Sequence, residues 1–416
     1  MSLLLVLLVG CGPYGAWPDE QTVFPYVYTP ETDLEEYEEV RWETETWDLD
    51  SGCPEPPLYL LKAVRHRPSA PVESLEHFAA MRAQIPPLGP GGTTLSFVGD
   101  AMWIAENHEA FADPVADLLD GDLRVGNLET PTSPDHPTEL GALGLYSFNA
   151  PPALLDGLPL DLVQVNNNHS LDAGDTGLEA TLAELDARGI AHTGVDEHAI
   201  VEVAGRRIAF LSYTWGLNER EVESTHELFV VPFGHLTEDI DLSGIEDDIR
   251  LARDDGAQTV VLLVHWGFEY EYYPDPHFLV LGRRLVTLGA DLVVGQGPHV
   301  AQPPEICHVN HPEVVPGVGT CSVRTPDEVP RTAAVLYSLG NFETIMGTVP
   351  CQTGLVATVT LEDDVTGLGW TAVANVDTAA PELHPLDALL DDPEWAEESS
   401  RLDAHLGRSW RRGENR

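Results

Sequence analysis

The sequence predicts an α/β fold, and three observations carry that prediction. Apolar runs of strand length alternate with amphipathic stretches of helical period from Thr93 onward. Several of these runs end on a short polar cassette containing Asp, Asn or His. Two alternating segments near the end of the core flank a Gly-containing turn and read as a late β-hairpin.

Strands are expected at 93–98, 122–126, 161–165, 206–213, 259–264, 290–295 and 333–339. Each is a nearly unbroken apolar run, the pattern of a strand covered on both faces. Helices are expected where the period changes. A short one is expected over 74–84, before Pro86-Pro87 and the glycines that follow break the chain. In 176–189, Leu178, Leu182 and Leu185 share one face and Gly189 supplies the stop. In 277–289, Phe278, Leu281, Leu285 and Leu288 do the same before Gly289. The hairpin occupies 355–363 and 369–377, and a surface helix is expected within 393–412. One domain over 93–378 accounts for this series, leaving 379–416 as a C-terminal extension.

Composition narrows the function classes. The 416 residues hold 21 basic against 69 acidic side chains, a net charge of −48. Such a surface repels nucleic acid, whose binding depends on Lys and Arg neutralising phosphates, and no nucleic-acid partner is expected. It also opposes docking on anionic lipid through a basic patch.

The N-terminus reads as a processing signal. Leu3 to Val9 are apolar and lead into Gly10 and Cys11, so residues 1–11 look like a lipoprotein-type signal with a lipid on Cys11. The run is too short to span a bilayer. Residues 12–73 then read as an acidic, largely disordered tether; its densest part, 12–57, holds thirteen acidic residues against one Arg. Together these point to an exported protein, lipid-anchored at the bacterial cell envelope.

With Cys11 lipidated, Cys53, Cys307, Cys321 and Cys351 remain, an even number suited to an oxidising compartment. Cys307 and Cys321 flank a Pro- and Gly-rich stretch and are the natural local pair, leaving Cys53 for Cys351. No CxxC spacing marks a thiolate zinc site.

The polar cassettes carry the chemistry. Asp100 follows Val98-Gly99, where the glycine is read as letting the chain turn and expose the carboxylate; a plain helix cap is the alternative. Asn127 and Glu129 follow the 122–126 run in the same manner. Three consecutive Asn at 166–168 suit neither helix nor strand, and Asn168 stands beside His169. An Asn oxygen suits a hard cation, His suits ligation or proton transfer, and Asp172 could orient His169. His265 ends the run Thr259–Val264, and Glu269 four residues on could orient it or meet substrate. Trp266, Tyr270, Tyr272 and Tyr273 read as rim packing. His299 follows a Gly-Pro turn after another apolar run, and Asn341 ends the last.

In this order the cassettes resemble the CapA family of capsule and poly-γ-glutamate synthesis proteins. The matching features are Gly99-Asp100, Asn127-Leu128-Glu129, Asn167 through Asp172 and the Gly177, Thr181, Leu185 helix. They continue with His265-Trp266-Gly267, Glu269-Tyr270, Gly297 through Val300 and Tyr337 through Phe342. Over roughly residues 94–345 the resemblance implies a metallophosphoesterase-like fold, a two-sheet β core flanked by helices with divalent metal at the strand ends. It implies Asp100, Glu129, Asn168, His265 and His299 as metal ligands, with His169 as acid or transition-state donor; Asp172 and Glu269 complete the catalytic candidates. Manganese, iron or zinc would activate water and neutralise developing charge. One departure stands out: the family's G-x-H-P-H turn reads Gly295-Gln296-Gly297-Pro298-His299 here, so one imidazole is missing and one cation rather than two is an open expectation. The resemblance implies a surface protein of capsule or poly-γ-glutamate-type polymer synthesis or export. Its partners would be the envelope polymer or another exported substrate, and envelope assembly proteins. A hydrolase or transferase is one reading; a non-catalytic, lipid-anchored scaffold that keeps the fold is the other.

Overall fold

The computed structural model describes residues 72–104, 106–138, 147–218, 224–231, 240–377 and 380–412. The proposed signal and most of the tether, with Cys11 and Cys53, lie outside the described residues. Among the described residues, no helix is long and apolar enough to cross a membrane.

Two mixed sheets face each other. The first contains β1 (Thr93–Ala101), β2 (Leu123–Leu128), β3 (Leu162–Gln164), β4 (Ala191–Thr193), β13 (Thr353–Leu361), β14 (Val365–Val376) and β15 (Glu382–Pro385). Its order is β15-β14-β13-β1-β2-β3-β4, with β12 (Asn341–Glu343) also pairing with β1. The second contains β5 (Ala199–Val203), β6 (Arg206–Thr214), β7 (Thr259–His265), β8 (Leu292–Gln296), β9 (Glu305–Val309), β10 (Cys321–Val323) and β11 (Arg331–Leu336), ordered β10-β9-β11-β8-β7-β6-β5. Helices flank the pair: α1 (Val72–Met81), α2 (Gly174–Arg188), α3 (Ser243–Asp254), α4 (Pro276–Leu288) and α5 (Pro393–Leu402). This is the two-sheet core with flanking helices that the family resemblance implies, and β13–β14 is the expected late hairpin.

The strand alternation explains the layering. Leu95 and Phe97 of β1 point with Phe210 and Val261 into the core between the sheets. Val98 and Ala101 point the other way, into a second core with Leu178 and Leu185 of α2. Strands buried on both faces must be apolar throughout, which is why their sequences read as unbroken runs. Phe278, Leu281 and Leu285 of α4 and Ile245 and Ile249 of α3 join the first core from the second sheet's side.

The parallel strands β1, β2 and β3 end on the same side as β7 and β8. That shared end is where side chains from both sheets meet. Gln296 Nε2 donates to the Val98 carbonyl at 2.9 Å and Gly297 N to Asp100 Oδ2 at 3.2 Å, hydrogen-bonding one sheet to the other.

Gly99 has a different role from the one its sequence context gives it. The strand continues through it to Ala101, and Asp100 is fully buried. A Cβ at Gly99 would lie 1.7 Å from the Gly340 carbonyl oxygen, so the glycine serves the close approach of β12 to β1. Cys307 and Cys321 are bonded side by side on β9 and β10, while the Cys351 thiol is buried, which pushes its pKa up to about 12.

Candidate metal centre

Asp100, Glu129 and His265 arrive from the ends of β1, β2 and β7, and their ligand atoms lie within 4.8 Å of one another. All three are buried. Asp100 accepts from Asn127 Nδ2 through Oδ1 at 2.8 Å, and its Oδ2 lies 3.2 Å from His299 Nδ1. His265 Nε2 stands 3.4 Å from Glu129 Oε1, and His265 Nδ1 is 3.3 Å from Asn127 Nδ2.

The electrostatics follow from packing two carboxylates and two imidazoles out of water. Burial opposes ionisation of Asp100, but hydrogen bonding and charge from His299 outweigh it and hold its pKa below the ordinary value. Glu129 takes the opposite course: burial and the neighbouring Asp100 raise its pKa well above the usual carboxylate range. Burial pushes His265 down to about 3, so it is a neutral imidazole, the form that ligates metal. For His299 burial also acts downward, yet Glu129 and Asp100 overcome it and lift the pKa to about 10.

Both carboxylate oxygens of Glu129 are buried without a hydrogen-bond partner among the described residues, as are Asn168 Oδ1 and Gln296 Oε1. Orphaned buried acceptors are costly in a folded protein. A divalent cation beside Glu129 would satisfy its two oxygens, and O and N donors are the set that manganese, iron or zinc accepts. The residues present therefore fit a metal ion, with Asp100, Glu129 and His265 as its buried triad.

Other candidates are held by partners of their own. His169 Nδ1 lies 2.6 Å from Asp172 Oδ2, the pairing expected of an oriented imidazole, and its ring packs against Phe148 at 4.4 Å. The backbone N of Phe148 donates to the same Asp172 oxygen at 2.6 Å, fixing that carboxylate. Asn168 is only partly buried, and its amide nitrogen lies 3.4 Å from Asn218 Oδ1.

Glu269 does not contact His265. Its Oε1 lies 3.9 Å from His299 Nε2 instead, because Tyr270 N donates to the Pro298 carbonyl at 2.7 Å and docks this loop on the His299 turn. Nor is Trp266 at a rim: it is 1% exposed, stacks on Tyr337 and donates to that residue's carbonyl. Tyr272 and Tyr273 pack on His405 of the C-terminal segment.

Three Asn residues of the strand-end cassettes support the centre by hydrogen bonding rather than as members of the triad. Asn127 donates to Asp100, and Asn167 spans Asn127 Oδ1 at 3.0 Å and the Leu128 carbonyl at 2.8 Å. Asn341 reaches His299 Nδ1 at 2.9 Å through Oδ1. The run of three Asn pointed to a special loop, but not to which Asn would bridge to β2.

A titration result follows from these environments. Without metal, Glu129 and His299 hold protons above the ordinary range of their side-chain types. A cation on the same atoms must displace them. Affinity for Mn²⁺ or Zn²⁺ is expected to rise with pH, roughly tenfold per unit for each proton released. Calorimetry in buffers of differing ionisation enthalpy measures that release; binding that ignores pH would overturn this account of the centre.

Comparison with known proteins shows the family. The model of the family described as bacterial capsule synthesis protein PGA_cap matches residues 94–345, more than half of the chain. The chain belongs to the PGA_cap family. It is 26% identical over 240 residues to the capsule biosynthesis protein CapA of Bacillus anthracis, covering 55% of this chain and 51% of that protein. With the PGA biosynthesis protein CapA of Bacillus subtilis (strain 168) the identity is 24% over 315 residues, covering 71% and 74%. The chain thus spans about half the length of the first of these relatives. Among solved structures, it is similar to the Thermus thermophilus sulfate thiohydrolase SoxB with a TM-score of 0.32 and 14% identity, over 77% of this chain and 62% of that one. Every residue of the centre, from Asp100 to Asn341, lies inside the PGA_cap match, whereas β13 to β15 and α5 lie outside it.

Proposed function

We propose that this PGA_cap protein is a divalent-metal hydrolase or transferase acting in the synthesis or export of a capsule or poly-γ-glutamate-type polymer. The observation that carries the reading is Glu129, a buried carboxylate with both oxygens unpartnered, set between Asp100 and His265. The metal, when bound, would supply Lewis acidity and an activated water. The chain's own residues do the rest. Asp100, Glu129 and His265 hold the cation. Asp172 accepts from His169 Nδ1 and leaves Nε2 to give a proton to the leaving group. The names of the Bacillus relatives supply the polymer class.

Export with a lipid on Cys11 would place this centre at the cell envelope, where the polymer and its assembly proteins are its partners. The strongly acidic surface adds a requirement: a polyanionic substrate must approach through cations or a locally neutral path. Gly297 favours the second reading, a scaffold that keeps the fold without turnover, because one imidazole of the family's turn is missing.

The two readings separate on a direct measurement. Metal-loaded protein is incubated with poly-γ-glutamate and with a chromogenic phosphodiester, and cleavage or transfer is followed. His169→Ala is expected to lower turnover by at least about 100-fold while metal content is unchanged. Metal-loaded wild type that processes neither probe would support the scaffold; turnover that survives His169→Ala would remove the proton-donor role.

A further inference from the structure

We propose that Arg82 and Arg408 form a cationic patch, joined to the metal centre by the Glu269–Tyr273 loop, that binds a polycarboxylate strand. This rests on the polymer class proposed above and adds to that reading a surface outside the family match.

Charge balance singles the patch out. Acidic residues outnumber basic ones by 69 to 21 in the whole chain, yet residues 401–412 hold four arginines against one aspartate. Three of the four are neutralised where they stand. Arg411 pairs with Asp403 and Asp387, Arg412 with Asp120, and Arg401 with Glu398 at 2.5 Å. Arg408 differs: its side chain is 67% exposed, and the nearest carboxylate in its ion pair is 4.0 Å away on Asp403, which already holds Arg411. Arg82, just after α1, donates to the Ala404 and His405 carbonyls, and no carboxylate pairs with it among the described residues. Its stem packs on Gly407, where a Cβ would lie 3.0 Å from Arg82 Cδ, so Arg82 meets the chain immediately before Arg408.

The buried His405 ring senses the local field. Burial lowers its pKa most, and Arg401 and Arg82 push it further, to about 3. Cations therefore dominate the surroundings of this histidine, in a chain whose net charge is −48. A polyanion repelled by the rest of the surface meets least resistance there. The guanidinium fork also matches a carboxylate in geometry, and a strand with an acid on every unit can engage both arginines.

Contacts join the patch to the centre. The Arg401 guanidinium lies 4.2 Å over the Tyr272 ring, and His405 packs on Tyr272 and Tyr273 at 5.7 and 4.9 Å. Both tyrosines stand on the loop whose Glu269 lies 3.9 Å from His299 and whose Tyr270 ring lies 6.3 Å from the same imidazole. Arg82 and Arg408 both fall outside residues 94–345, so the patch belongs to the segments that flank the family match.

The test is fluorescence anisotropy of labelled poly-γ-glutamate titrated with the full chain, with and without EDTA. Wild type is expected to bind in both conditions, at least about tenfold more weakly at about 300 mM NaCl than at about 50 mM. Arg82→Gln and Arg408→Gln should each weaken binding about 3- to 10-fold; Arg408 is exposed, so its variant keeps the fold. Arg250→Gln removes an exposed cation of α3 that stands between Asp247 and Asp254, and it should bind as wild type does. Wild-type affinity in both patch variants, or an equal loss in Arg250→Gln, would overturn the patch. Binding that EDTA abolishes would assign the polymer to the metal alone and overturn it as well. Binding that persists in EDTA, is lost in the patch variants and is followed by no turnover would uphold the patch and overturn only the hydrolase or transferase reading.

Discussion

Replacing His265 with Ala is expected to strip the protein of its tightly held metal, with affinity falling by more than about 100-fold. The magnitude follows from position. His265 is the only imidazole in the buried triad, and burial keeps it neutral and ready to ligate. Even an outer-shell partner of a metal ligand is worth about 10- to 100-fold in affinity, so loss of the ligand itself should exceed that. The variant also leaves Glu129 and Asp100 with His299 as the one imidazole of the centre beside them. Gentle purification followed by elemental analysis of wild type and His265→Ala measures the effect. Equal metal content in the two proteins would remove His265 from the site. The fold should tolerate the change, because His265 ends β7 and the apolar residues that anchor this strand precede it.

Trp370→Ala is expected to cost about 3–5 kcal/mol of stability, the range for truncating a fully buried large aromatic. Trp370 is 0% exposed on β14 and lies 6.0 Å, centroid to centroid, from Trp410. Its Nε1 donates to the Gly407 carbonyl at 3.1 Å, and the Arg411 guanidinium sits 5.0 Å over its ring. Trp370 is thus a principal anchor of the segment after α5 on the first sheet. Arg412 adds bonds to Thr358 Oγ1 at 2.8 Å and the Leu118 carbonyl at 3.2 Å. Urea unfolding with a probe on the C-terminal segment checks the prediction. A loss under about 1 kcal/mol would mean that Trp410 and Leu406 hold the segment without it.

Much of the fold was legible because burial imposes local patterns. The strands β1, β2, β3, β6, β7, β8 and β11 all coincide with apolar runs, and α2 and α4 with leucine-rich faces ended by glycine. Most strands the sequence did not announce are short or at edges: β4, β10 and β12 have three residues each, β15 has four, and β5 is only partly buried, whereas β9 is a five-residue strand between β10 and β11. Too few residues repeat in them to establish a period. Helix α3 carries Ile245, Ile249 and Ala252 toward the core, but its charged residues hide that spacing in composition.

The site divides in the same manner. Each strand-end residue is encoded by its neighbours, which is why Asp100, Glu129, His169, His265 and His299 stand out one cassette at a time. Their mutual distances are not encoded locally. The sequence allowed Glu269 to orient His265, four residues away in the chain. The folded loop turns it to His299, thirty residues away, because Pro298 offers the acceptor that docks Tyr270. It read Gly99 as a turn, where the Gly340 carbonyl of another strand excludes a side chain.

The sequence by itself determined the layers, the order of the cassettes, the family and the missing imidazole at position 297. Tertiary structure alone decided that Asp100, Glu129 and His265 share one buried space, that Asn341 reaches His299, and that Glu269 faces it. Periodicity records which residues are buried, because each buried residue pays for itself locally. Which buried polar groups become neighbours depends on how two sheets pack, and no stretch of the chain records that on its own.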